Sequence, residues 1–463
     1  MDAALDHARS HSDAAVSDLK DWLRIPSIST DPARAGDTRR AAEWLADHLR
    51  RIGMETVEVS ETGDAPSPGH PVVYASHHVS DDAPTVLVYG HYDVQPPDPL
   101  DLWDQDPFEP VEADGDLVAR GAADDKGQVF MHVRAAEAYL QTGGLPVNLK
   151  MMIEGEEENG SKHLPDWLRA HADALAADVV LVSDTALFAP GVPSIAYGLR
   201  GLAYVEVTFQ GPGKDLHSGV YGGGVENPIN ALARVIAGLH DADHRVTVDG
   251  FYDRVQDLTA EERASYAALP FDEAAWMREA GVAATKTEAG YGTLEGTSGR
   301  PTLDCNGIWG GYTGEGAKTV LPARASAKIS CRLVPDQTPA DITEKLRRHF
   351  EAHTPDTMTL TFRDLHGGHG VIVDTSAPAM QAAKEALQAV FGREPFFTRE
   401  GGSIPVVADF KTILGLDTVL MGFGLDSDSI HSPNERFGLD RFHAGTEASI
   451  RFLDAYARQA ASS

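Results

Sequence analysis

Three short apolar runs, at residues 85–89, 149–153 and 179–183, lead at once or across a single glycine into a histidine, aspartate or glutamate, and helical patterns separate most of them. A run of four to eight residues that is apolar at nearly every position has no wet face, which fits a strand covered on both sides. Strands of that kind alternating with helices predict an α/β unit built on a mostly parallel sheet flanked by helices. Ligands of such sheets gather beyond the carboxyl ends of the strands. The polar residues that end the runs are therefore the first place to look for chemistry.

The rest of the chain sorts around this frame. Apolar residues recur at helical spacing over 13–23 and over 38–52, the second stopping at Gly53, and 126–140 and 165–176 read as further helices. Near residue 198 the texture changes. Residues 203–209 alternate like a strand with one wet face, and Asn227-Pro228 has the form of a helix cap and first turn, running to 239. Alternating strands at 325–333 and 357–362, with a helix at 341–352 between them, complete a smaller α+β unit of ferredoxin-like type. The α/β texture returns with a helix at 377–391 and a strand at 418–422.

At 463 residues the chain is too long for one core. The expected organisation is a main domain in two parts, 1–198 and 372–463, with an inserted domain at 199–371. The polar stretch 241–302 carries no clear period and is assigned to the insertion.

With 39 basic against 70 acidic residues, the formal charge is -31, a field that repels phosphate backbones and anionic lipid. Nucleic acid and membranes are excluded as partners on that ground. The acids are scattered rather than gathered in one run, as on a solvated surface. Cys305 and Cys331 are too few for a disulfide framework and too far apart in sequence for a thiolate metal motif. No basic-then-apolar leader opens the sequence and no run approaches about 18 apolar residues, so the expected location is cytoplasmic.

Five clusters carry chemistry. The first strand runs into Gly90-His91-Tyr92-Asp93, which exposes an imidazole at the strand end with a carboxylate two residues on, suited to holding the ring's other N–H. Arg120-Gly121-Ala122-Ala123-Asp124-Asp125 sets two carboxylates in a tight loop before a helix, where one can bridge two cations through its two oxygens. The second strand leads to Glu156-Glu157-Glu158, in which one glutamate can hold a metal while a neighbour takes a proton from water. The third ends at Asp184, and a loop after the strand at 418–422 carries His431. Nitrogen and carboxylate donors without thiolates suit Zn, Mn or Co, with zinc the first expectation.

In this order, the motifs resemble the metallopeptidase family of aminoacylase-1-like deacylases, succinyl-diaminopimelate desuccinylase, carboxypeptidase G and the cytosolic nonspecific and carnosine dipeptidases. The resemblance implies two divalent ions, one on His91, Asp124 and Asp184 and the other on Asp124, Glu158 and His431. It makes Glu157 the general base, Asp93 the residue orienting His91, and Asp124-Asp125 a cis peptide.

Asp215-Leu216-His217-Ser218-Gly219, Gly316-Ala317-Lys318-Thr319-Val320, Cys331-Arg332-Leu333 and Arg399-Glu400-Gly401-Gly402-Ser403 are similar to the dipeptidase branch. They imply substrate contacts by His217, Thr319, Arg332 and Ser403, and a homodimer formed through the inserted lid domain. The activity implied is hydrolysis of dipeptides or short peptides with a free C-terminal carboxylate, with N-acyl-amino-acid deacylation as the alternative. Glu156 departs from the branch, where an uncharged residue is expected, and would add charge near the metals.

Overall fold

The computed structural model describes residues 1–64, 66–402 and 404–460. These fall into two compact units: one of Met1–Tyr197, Val373–Thr398 and Asp409 onward, the other of Gly198–Ile372 and Arg399–Ala408.

The first unit is built on a sheet in the order Thr56–Ser60, Val72–His77, Asn148–Glu154, Thr85–His91, Val179–Val182, Thr418–Leu420, Ser194–Leu199. All but Val72–His77 and Ser194–Leu199 point the same way, and the four central strands pair in parallel. Those central strands are buried along almost their whole length, which explains their unbroken apolar sequence. Helix Lys126–Thr142 is likewise buried on nearly every side. It packs among Asp2–Ser10, Ser12–Leu23, Ala35–Ile52 and Leu439–Ala460. Stacked Trp22 and Trp44 meet Phe130 there.

Two details differ from the periodicity. Helix Asp2–Ser10 buries only Ala4 and Leu5, too thin a stripe to stand out in sequence. The expected helix at 165–176 is two, Leu164–Ala170 and Ala172–Leu175. The ring of His171 lies 2.8 Å from the Trp167 carbonyl, and its backbone leaves the helical region.

Helix Lys126–Thr142 also carries an acid-sensitive lock. Within this buried core, His132 Nε2 lies 2.8 Å from Ser183 Oγ and Nδ1 3.0 Å from Ser449 Oγ. Ser183 and Ser449 are themselves held by the carbonyls of Met421 and Gly445. Burial lowers the His132 pKa to about 4. Burial, with Arg51 and Arg134 beside it, lowers that of His48 to about 3. Both lie below the ordinary 6.5, so the unfolded chain takes up these protons first. Stability is then complete above pH 6.5 and falls as the pH drops towards 4, by about 1.4 kcal/mol per pH unit for each ring. Urea unfolding of wild type and His132→Gln between pH 7 and 4.5 should show the shallower acid slope in the variant; equal slopes would contradict this account.

The second unit is a βαββαβ arrangement. Strands Gly201–Gln210, Thr302–Gly310, Arg324–Leu333 and Thr359–Gly368 are joined across helices Pro228–Ala237 and Pro339–His353. The sheet runs Thr302–Gly310, Arg324–Leu333, Gly201–Gln210, Thr359–Gly368, antiparallel throughout. Burial alternates strictly along Gly201–Gln210. Its inner residues Ala203, Val205, Val207 and Phe209 share a core with Leu232, Leu346 and Phe350. Asn227 and Thr338 cap the helices, each followed by proline.

The stretch 241–302 belongs to this unit. Its helix Ala260–Ala268 starts at a capping box formed by Thr259 and Glu262. Its anchor is Arg300, which donates two hydrogen bonds to buried Glu288 and lies over the rings of Tyr252 and Tyr291. An ion pair under two aromatic rings leaves no apolar period to read. Segment Arg399–Ala408 joins the same unit, where Arg399 pairs with Glu262 and Gly401 O accepts from Arg200.

Both cysteines are free, Cys331 buried and Cys305 exposed. Among the described residues no helix is long and apolar enough to cross a membrane.

Candidate metal centre

The parallel strands of the first unit bring four of the five clusters to one edge. His91 closes its strand, Glu157 and Glu158 open the 3-10 turn Glu157–Asn159 after the next, and Asp184 stands two residues past Val179–Val182. His431 comes from a loop after the 3-10 turn Asp426–Asp428, with φ near 60°. Asp124 occupies the loop before helix Lys126–Thr142, and its bond to Asp125 is cis.

These side chains converge. His91 Nε2 is 3.1 Å from Asp124 Oδ1 and 3.9 Å from Asp184 Oδ2. His431 Nε2 is 2.8 Å from Asp124 Oδ2 and 3.2 Å from Glu158 Oε2. Asp124 thus turns one oxygen to each histidine. Among the described residues, two groups could hold a metal ion, His91 with Asp124 and Asp184, and Asp124 with Glu158 and His431, each with donor atoms within 4.8 Å of one another.

The electrostatics favour positive charge. Burial opposes protonation of His91, yet hydrogen bonding to Asp124 and Asp93 carries its pKa well above the ordinary value. Asp124 and Glu158 raise that of His431 to about 10. Burial drives Asp184 well above the carboxylate range, with the charges of Asp125 and Asp124 adding to it. Burial also raises Glu157 to about 7, eased by His91 and reinforced by Glu158, Asp93 and Asp124. Among the described residues, His91 and His431 are imidazoles that face these carboxylates, and divalent ions would replace the protons they hold.

A second observation agrees: Glu158 Oε1 is buried without a hydrogen-bond partner, which native interiors rarely tolerate. The residues present fit two divalent cations with nitrogen and oxygen donors.

Neighbours fix the donors. Asp93 was expected to orient His91 through its carboxylate. Its main-chain carbonyl lies nearer, 3.1 Å from His91 Nδ1 against 3.4 Å for Oδ1. The carboxylate also accepts the N–H groups of Glu157 and Glu158, at 3.2 and 3.0 Å, so it sets the glutamate turn. Gln95, which no motif distinguishes, donates to Glu158 Oε2 at 2.8 Å. Glu156 has partners of its own: its buried carboxylate lies 3.0 Å from His163 Nδ1, with Thr62 Oγ1 at 3.5 Å.

In the second unit His217 is exposed, and its Nδ1 accepts from Gly219 N. Strand Leu216–His217 pairs with Val320–Leu321, and Thr319 O accepts from Ser218 N, so His217 and Thr319 are neighbours. Arg332 lies near the end of Arg324–Leu333, opposite Leu202 and Thr302. Ser403 falls outside the described residues.

A carboxylate shared between two imidazole-bearing groups at the carboxyl edge of a parallel sheet is the donor arrangement of two-metal hydrolases. The chain belongs to the peptidase family M20/M25/M40, whose profile matches residues 87–455, and it is a metallopeptidase.

It is 32% identical to the Cys-Gly metallodipeptidase of Saccharomyces cerevisiae over 95% of each chain. Against the human Beta-Ala-His dipeptidase it is 33% identical over 96% of this chain and 90% of the relative. Among solved structures, human carnosine dipeptidase 1 superposes with a TM-score of 0.81 at 31% identity, covering 98% of both chains. A family M20 metallo-carboxypeptidase from Sulfolobus solfataricus reaches 0.83 at 32% identity, covering 96% of this chain and 99% of that one.

Proposed function

We propose that this enzyme hydrolyses the peptide bond of dipeptides or short peptides bearing a free C-terminal carboxylate. The observation that carries the reading is Asp124, whose two oxygens face His91 and His431 separately. Two ions, zinc first and manganese or cobalt as alternatives, would be held by His91, Asp124 and Asp184 and by Asp124, Glu158 and His431. When bound, they would polarise the scissile carbonyl and lower the pKa of a water molecule towards about 7.

The chain's own part falls to Glu157. Its carboxyl, raised to about 7, is matched to taking a proton from the attacking water and delivering it to the leaving amine. Asp93 holds the Glu157 and Glu158 N–H groups and so keeps base and ligand in register. The resemblance to the dipeptidase branch extends the proposal to His217, Thr319, Arg332 and Ser403 as substrate-binding residues, and to a cytoplasmic homodimer. A guanidinium such as that of Arg332 suits a carboxylate terminus through paired hydrogen bonds.

The names of the yeast and human relatives, acting on Cys-Gly and Beta-Ala-His, support dipeptides as the substrate class. The test is a panel of unblocked dipeptides beside N-acetyl and N-succinyl amino acids, run with Zn, Mn and Co. Turnover of the unblocked set is expected; cleavage confined to the blocked set would replace this reading with a deacylase.

A further inference from the structure

The loop that carries His431 contains Ser429, His431 and Asn434, all at positive φ, a conformation that non-glycine residues hold only when their surroundings impose it. His431 itself is about half exposed, so its own packing cannot supply that constraint. The loop is instead fastened at both ends by buried ion pairs. At one end Asp428 accepts from both terminal nitrogens of Arg441. At the other stands Glu435, whose side chain is wholly buried.

Glu435 does more than close the loop. Its Oε1 accepts the N–H groups of Ala123 and Asp124, at 2.9 and 3.0 Å. Its Oε2 accepts Gly121 N at 2.9 Å and Arg120 Nη1 at 2.7 Å. Every one of these donors lies in the loop that presents Asp124. Arg120 in turn places Nη2 3.3 Å from the carbonyl of Ser432, the residue after His431. One carboxylate thus ties together, through charge-assisted hydrogen bonds, the backbone of Asp124 and the loop of His431, more than 300 positions apart in sequence.

We propose that Glu435 is a positioning residue that sets the separation of Asp124 from His431 and thereby the affinity of the ion held between them. This rests on the metal assignment above. The amide of Glu435→Gln would keep the volume but turn an NH2 group against two of the N–H donors, leaving buried donors without an acceptor. Changes in residues that orient metal ligands typically weaken binding 10- to 100-fold.

The test titrates the metal-stripped full chain with Co(II), following its visible absorption, beside thermal unfolding of the metal-free form and kcat at saturating metal. Glu435→Gln is expected to weaken at least one of the two Co(II) steps about 10- to 100-fold, with kcat recovering at high metal. Unchanged Co(II) affinities, with only the metal-free melting temperature lowered, would reduce Glu435 to a structural residue and overturn the proposal. If that variant does not fold, Arg120→Lys gives the reading. It keeps Glu435 paired but gives up the reach to Ser432, so the same step should weaken, and unaltered binding overturns the proposal equally. His431→Ala run in parallel separates the two levels: if it too leaves Co(II) binding untouched, the metal assignment itself fails.

Discussion

Glu157→Gln is expected to keep both ions bound and to lower kcat by about 10²- to 10⁴-fold, the usual contribution of a positioned proton acceptor. Glutamine has the same shape and can still accept a hydrogen bond, but it cannot take a proton at neutral pH. The substitution also removes one negative charge from a pocket in which Glu157 is crowded by Glu158, Asp93 and Asp124, so the folded state should lose no stability. Metal content, thermal unfolding and kcat measured on one preparation give the answer. Near-normal turnover in the metal-loaded variant would remove Glu157 from the mechanism.

The second large effect is a contrast between single substitutions. Asp124→Ala should bind neither ion well and have no measurable turnover, because Oδ1 faces His91 and Oδ2 faces His431. His431→Ala should retain the ion of His91 and Asp184 and lose the other. Metal analysis after dialysis then gives close to none for the first variant and close to one per chain for the second, against two for the wild type. Loss of a single ion in Asp124→Ala would mean that Asp124 does not bridge.

The centre was readable in sequence because a parallel strand has a direction. Runs ending in His91, in the Glu156-Glu157-Glu158 turn and in Asp184 present their last polar residue on the same side once crossovers make them parallel. Local chemistry said less about neighbouring residues of one type. Glu156 looks in sequence like Glu157 and Glu158, and only folding turns it to His163, seven positions on. Asp93 fits an orienting carboxylate by spacing, but the fold brings its carbonyl closest to His91 and gives its carboxylate the N–H groups of the glutamate turn. The stretch 241–302 escaped for another reason, since Arg300, Glu288 and two tyrosine rings hold it together and periodicity registers only apolar burial.

The sequence by itself determined the two architectures and the residue types offered at the sheet edge, because burial on one or both faces of a strand writes its period directly into the chain. Tertiary structure alone decided how those residues are aimed. Glu435 meets the Asp124 loop, Gln95 meets Glu158, and Asp124 divides its oxygens between His91 and His431. Each of these contacts joins segments that share no local pattern. Hydrogen-bond geometry depends on positions fixed to within tenths of an ångström by distant packing, and that information is spread over the whole fold.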